Sequence, residues 1–153
     1  MLSAAAFLPI SNSIETRRMP ADFFDTNVLV YVASGDAEKA ERAEAAIAAG
    51  GAISVQVLNE LANVARRKMQ LSCADTNAFL TLLRGLLTVH PLTLETHEIG
   101  LRLAERYGFS IYDAMIAASA LQAGCHTLWS EDMQHGMVLD EGLRIINPFR
   151  GAS

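Results

Sequence analysis

Apolar and polar positions along the chain fall into short blocks that predict alternating strands and helices. Asp22-Phe23-Phe24 reads as a short buried strand that ends at Asp25. Residues 27–33 are rich in Val and Tyr after a polar triplet. They suit either a continued extended segment or a buried helix, and periodicity alone leaves both open. Ala37 to Ala49 is rich in Ala and Glu, a helix by propensity, and Gly50-Gly51 stops it. Ala52-Ile53 is a brief strand, and Ser54 is placed to cap a helix over residues 55–69. The next helix spans about 75–87, with Val57, Leu61, Leu80, Leu83 and Leu87 as core positions of the pair.

Residues 89–94 read as a strand, and Thr96 can cap the helix that follows, where Ile99, Leu103 and Tyr107 recur at i, i+4 and i+8 before Gly108. Ser110 caps a helix over 111–123 that Gly124 closes. Residues 126–129 and 144–146 complete the strands. Strands separated by helices imply one α/β domain, a mostly parallel sheet with helices on both faces. That domain is expected over residues 19–150. Residues 1–18 lack this patterning and precede Met19-Pro20, so they are expected to be a disordered tail or a mis-assigned start, with Met19 the true one.

Composition narrows the function classes. With 51% hydrophobic and 19% charged residues, disorder across the whole chain is excluded. No apolar run approaches the roughly 18 residues of a membrane span, so a soluble, cytoplasmic domain is expected. The net charge of −5 argues against wrapping nucleic acid by charge alone, so any RNA contact must be local, helped by bound cations or small basic patches. Cys73 and Cys125 are far apart and show no metal-ligand spacing; buried or half-buried thiols in a reducing compartment account for them. The four histidines carry no zinc pattern, and Ser110 and Ser130 sit in no nucleophile motif.

The chemistry lies in the carboxylates. In open α/β sheets ligands bind beyond the carboxyl ends of the strands. Asp25 ends the first strand and Asp132 follows the strand closing at Trp129. Asp113 lies in the first turn of the helix after Ser110, and Glu60 about a turn and a half into the helix after the second strand. In a parallel sheet all four converge at one edge. Such like charges cannot all remain ionised without help, and a divalent Mg2+ or Mn2+ ion, which favours oxygen ligands, supplies it. Each residue also has a plainer reading: Asp25 as a turn or helix cap, Asp113 as a carboxylate at a helix N-terminus, Asp132 as part of a turn. Glu60 is the most telling, because Val57 and Val64 flank it on the apolar stripe and a carboxylate there needs a partner.

The run Phe23-Phe24-Asp25-Thr26-Asn27-Val28-Leu29 resembles the opening motif of PIN-domain (PilT N-terminal) ribonucleases. Residues 54–61 (SVQVLNEL) resemble their second motif, 112–117 (YDAMIA) the third and 128–133 (LWSEDM) the fourth, in order and at similar spacing across residues 19 to about 149. The resemblance implies a three-layer α/β/α sandwich and Mg- or Mn-dependent endonucleolytic cleavage of RNA. It makes Asp25, Glu60, Asp113 and Asp132 the acidic catalytic and metal-binding set, with Asp132 in the most variable motif. Ser130 is implied to support the site, and Asn27 to brace it or touch substrate. Short single-domain chains of this kind are similar to the toxins of bacterial VapBC-type toxin–antitoxin pairs, which implies an antitoxin partner. The expected homodimer has candidate apolar surface at 37–49 or 75–87.

Arg67 lies seven positions after Glu60, nearly on the same helix face and roughly 10 Å along the axis, which makes it a candidate RNA contact. Arg102 and Arg106 form a second basic pair, and a solvated helix end accounts for either group equally. Two other classes remain: a non-catalytic RNA- or protein-binding module, and an aspartate-based phosphotransfer domain. The latter lacks a second carboxylate at Asn27 and any lysine after Lys68.

Overall fold

The computed structural model describes residues 22–151. Five strands, β1 (Asp22–Phe24), β2 (Ala52–Ser54), β3 (Thr88–His90), β4 (Thr127–Trp129) and β5 (Arg144–Ile146), form one sheet in the order β3-β2-β1-β4-β5. Every pairing is parallel. Parallel neighbours need long crossovers, and helices supply three of the four. The β1–β2 crossover holds α1 (Thr26–Leu29), a 3-10 turn (Val30–Ala33) and α2 (Ala37–Ile47). The β2–β3 crossover holds α3 (Val55–Arg67) and α4 (Cys73–Leu86), and the β3–β4 crossover holds α5 (Leu94–Tyr107) and α6 (Ile111–Gln122). A loop with a 3-10 turn at Asp140–Gly142 joins β4 to β5. The result is the α/β sandwich expected, with a sheet that is wholly rather than mostly parallel.

Burial follows from that layering. Phe23, Phe24, Ala52, Ile53 and Leu128 are fully buried on the central strands β1, β2 and β4, as apolar strands covered on both faces should be, and Ile145 is fully buried on the edge strand β5. α6 is buried over an unbroken run from Ala114 to Ala120, and α5 packs along it so closely that a Cβ on Gly100 would lie 2.6 Å from the Met115 sulfur. No helix among the described residues is long and apolar enough to cross a membrane.

Several boundaries differ from the sequence expectation. The segment left open at 27–33 is helical, because the Asp25 carboxylate accepts the Thr26 N–H and starts α1 while Val28 and Leu29 turn inward. The strand expected at 89–94 is only Thr88–His90. Pro91 follows directly, with fixed φ and no N–H for the ladder. Thr93, not Thr96, is the N-cap of α5. The two threonines form a capping box, the Thr96 N–H donating to Thr93 Oγ1 (3.2 Å) and the Thr93 N–H to Thr96 Oγ1 (3.1 Å). α4 starts earlier than expected because Ser72 caps it, and Leu80 is only partly buried whereas Val57, Leu61, Leu83 and Leu87 are core. Cys73 is exposed rather than buried or half-buried as expected, and Cys125 is buried; neither is in a disulfide, and burial, then the nearby Asp22, pushes the Cys125 thiol up to about 12. The segment 1–18 lies outside the described residues.

Candidate active site

The chain lays β1 to β3 outward on one side and then returns to place β4 against β1, so the strand order reverses beside Asp25. This switch point is where open α/β sheets offer a crevice. The Asp25 N–H donates to the Trp129 carbonyl (2.9 Å), which ties the ends of β1 and β4 together and sets the segment 130–132 beside Asp25.

Asp25 is only 3% exposed. Its Oδ1 accepts the Thr26 N–H (2.7 Å), and its Oδ2 accepts both the Ser130 hydroxyl (2.8 Å) and the Asn27 amide (3.1 Å). Capping α1 and facing the crevice are thus one placement, and the two readings of this residue coexist. Burial pushes its carboxyl up to about 7. The Ser130 and Thr26 hydrogen bonds pull it down, and the Asp113 and Glu60 charges push it further up. Ser130 is itself fixed, its Oγ accepting the Met133 N–H (3.2 Å).

Glu60 has the partners its place on the apolar stripe demanded: Thr26 Oγ1 donates to its Oε1 (2.7 Å) and Gln56 Nε2 to its Oε2 (2.7 Å). Asp113 occupies the first turn of α6, where its N–H donates to the Ser110 hydroxyl (3.1 Å). Desolvation raises its carboxyl, and the charges of Glu60 and then Asp132 raise it further. The four acids therefore share one field. They also line one cleft of about 380 Å³, with Thr26, Asn27, Tyr31 and Lys68 among its other walls.

Residues that sequence reasoning missed form the rim of this cleft. Glu131, next to Asp132, accepts from Tyr31 OH (2.8 Å) and from Lys39 Nζ (2.6 Å), and Lys39 also donates to Tyr31 OH (3.1 Å). Lys39 lies 4.6 Å from the Tyr31 ring centroid and 5.1 Å from that of Phe149. Asn27 links rim to floor: its Oδ1 accepts the Glu131 N–H (2.9 Å) while its amide holds Asp25. Arg67 does not enter the cleft. Together with Arg66 it lines a neighbouring groove of about 610 Å³, and the cation at the acid cleft is Lys68, the C-cap of α3.

The PIN-domain profile matches residues 23–136, most of the 153-residue chain. The chain belongs to the PIN-domain family. A toxin–antitoxin complex from Klebsiella pneumoniae is similar in fold, with a TM-score of 0.64 at 22% identity over 83% of this chain and 97% of that one. VapC20 of Mycobacterium tuberculosis, a sarcin–ricin loop cleaving toxin, gives 0.58 at 21% identity over 70% and 86%. VapBC2 of Rickettsia felis, bound to a DNA fragment from its promoter, gives 0.54 at 22% identity over 72% and 87%. No curated protein matches the chain.

Among the described residues of this PIN domain, no three His, Cys, Asp or Glu side chains stand together as a ready-made cage for a metal ion. The donor chemistry fits a hard cation nonetheless. Only oxygen ligands face the cleft from the acids, and Asp25 and Asp113 are raised by burial and by unneutralised neighbours. Ions such as Mg2+ retain several waters and bind through one or two carboxylates, which an open acidic cleft allows.

Proposed function

We propose that this PIN domain is a Mg2+- or Mn2+-dependent endoribonuclease that hydrolyses RNA phosphodiester bonds, the toxin of a cytoplasmic toxin–antitoxin pair. One observation carries the reading: the carboxylates of Asp25, Glu60, Asp113 and Asp132, from four separate segments, line a single cleft at the switch point, and Asp25 and Asp113 are raised by burial and then by the charges of neighbouring acids. In this reading Asp25, Glu60, Asp113 and Asp132 would hold the ion. The bound ion supplies Lewis-acid stabilisation of an attacked phosphodiester and a more acidic water. Asp25 is oriented by Ser130, Asn27 and the Thr26 N–H, and Glu60 is clamped at both oxygens by Thr26 and Gln56. So fixed, Glu60 is set to accept a hydrogen bond or a proton from a water in the cleft rather than to swing.

The acidic net charge is met locally. Lys68 at the cleft, with Arg66 and Arg67 in the adjoining groove, are the cations available to RNA phosphates along α3. The fold's likeness to toxin–antitoxin structures motivates a cognate antitoxin as partner. Leu82 and Leu86, each about half exposed on α4, offer apolar surface for a homodimer.

The test is cleavage of a mixed RNA pool with Mn2+ by the wild type, by Asp25→Asn and by the wild type with chelator. Cleavage that needs both Asp25 and free metal is expected. A folded wild type that neither cuts RNA nor gains thermal stability from Mn2+ would instead make the domain a non-catalytic binding module.

A further inference from the structure

We propose that the groove beside the acid cleft is a nucleobase subsite, taking one unpaired base of a single-stranded RNA next to the scissile phosphate. It rests on the nuclease reading for its orientation and adds a binding site: a wall of side-chain amides and one aromatic ring that holds a base turned inward.

The groove, of about 480 Å³, is lined by Gln56, Asn59, Asn63 and Tyr112, and it shares Thr26, Glu60 and Val64 with the acid cleft. The three amides recur at i, i+3 and i+7 of α3, which aligns them on one face of the helix. Glu60, four positions from Gln56 and three from Asn63, lies on that face too. A ligand in the groove therefore adjoins whatever the carboxylates hold.

The wall chemistry selects a base over a phosphate. No cation lines the groove and Glu60 stands at its boundary, so an anionic group is repelled there while a neutral ring is not. Amide side chains carry both donors and acceptors, the pattern that base edges require. Tyr112 supplies the flat surface. It is 67% exposed, directly precedes Asp113, and sits at the first turn of a helix that is otherwise buried from Ala114 to Ala120. Unpaired bases are read in this way, stacked on an aromatic ring and hydrogen-bonded along an edge.

The experiment compares wild type, Tyr112→Ala and Tyr112→Phe by fluorescence-anisotropy binding to a labelled single-stranded RNA and its annealed duplex, and by KM for cleavage of the single strand. Because the ring is exposed, all three proteins are expected to melt together. Tyr112→Ala should weaken single-strand binding and raise KM by about tenfold. Tyr112→Phe should restore both, and the duplex should bind weakly to all three. Cleavage by wild type with binding and KM unchanged in Tyr112→Ala would overturn the subsite while leaving the nuclease intact, and the groove would then be a protein-binding surface. Equal losses in the Ala and Phe variants would also overturn it, since a ring that stacks does not need its hydroxyl. Absence of cleavage by wild type, with single-strand binding still lost in Tyr112→Ala and restored in Tyr112→Phe, would remove the nuclease reading and keep the base site.

Discussion

At the rim of the cleft Glu131 divides its two oxygens between Tyr31 and Lys39, whereas at the floor Asp25 receives three neutral donors and no cation. The residues are joined through Asn27, yet their electrostatics are opposite. The rim carboxylate is neutralised by an ion pair that also holds the lysine above its ordinary value. The floor carboxylate is pushed up to about 7 by burial. The molecule thus uses its nearby lysine to fasten the rim loop and leaves the floor acids short of positive charge. Glu131 is settled by a cation of the protein itself; Asp25 is not.

The largest effect expected from breaking this contrast is at the floor. Asp25→Asn keeps the shape of the side chain but removes its charge, and RNA cleavage should fall to background while circular dichroism remains native. Next is Ser130→Ala, which removes one of the donors orienting Asp25. Changes to such supporting partners typically lower metal affinity or activity about ten- to hundredfold, measurable as a weaker Mn2+ dependence of cleavage.

A third prediction separates floor from rim by pH. A carboxyl at about 7 when folded, against its ordinary 3.8, holds its proton more tightly in the native state. Its contribution to stability is present in full below about pH 4 and is lost as pH rises toward 7. Urea unfolding in chelator should show wild-type stability declining across that window, and Asp25→Asn should flatten the decline. The smallest effect is at the rim. Lys39→Met breaks a partly exposed pair, so a stability loss of about 1 kcal/mol is expected, with cleavage reduced less than in Ser130→Ala.

Much of this arrangement is written in local signals. Ser54 and Ser110 cap helices where they should, Gly108 closes α5 at φ 76°, and each of these marks fixes where Glu60 and Asp113 fall relative to the strand ends. The rim was illegible for a physical reason: Lys39 and Glu131 are 92 residues apart, and a single ion pair between distant segments leaves no periodicity. Helical phase, on a helix expected to reach residue 69, puts Arg67 on the Glu60 face. The helix ends at Arg67 instead, and Lys68, one step of about 100° on, is the residue at the cleft. Both threonines of the capping box carry the same side-chain chemistry, so the sequence points to Thr96 as readily as to Thr93, the cap. The segment 27–33 stayed ambiguous because the deciding contact, from the Thr26 N–H to Asp25, requires knowing that Asp25 is buried.

The unbroken burial of α6 has a consequence for variation. Most helices forgive replacement at every third or fourth step, on the side that meets water. From Ala114 to Ala120 there is no such side, and four of the seven residues are alanine, with no smaller side chain to retreat to and no space for a larger one. A library of random variants would therefore return this stretch as a block of consecutive silence. Its edge falls beside Asp113, the residue this rigid rod holds in place.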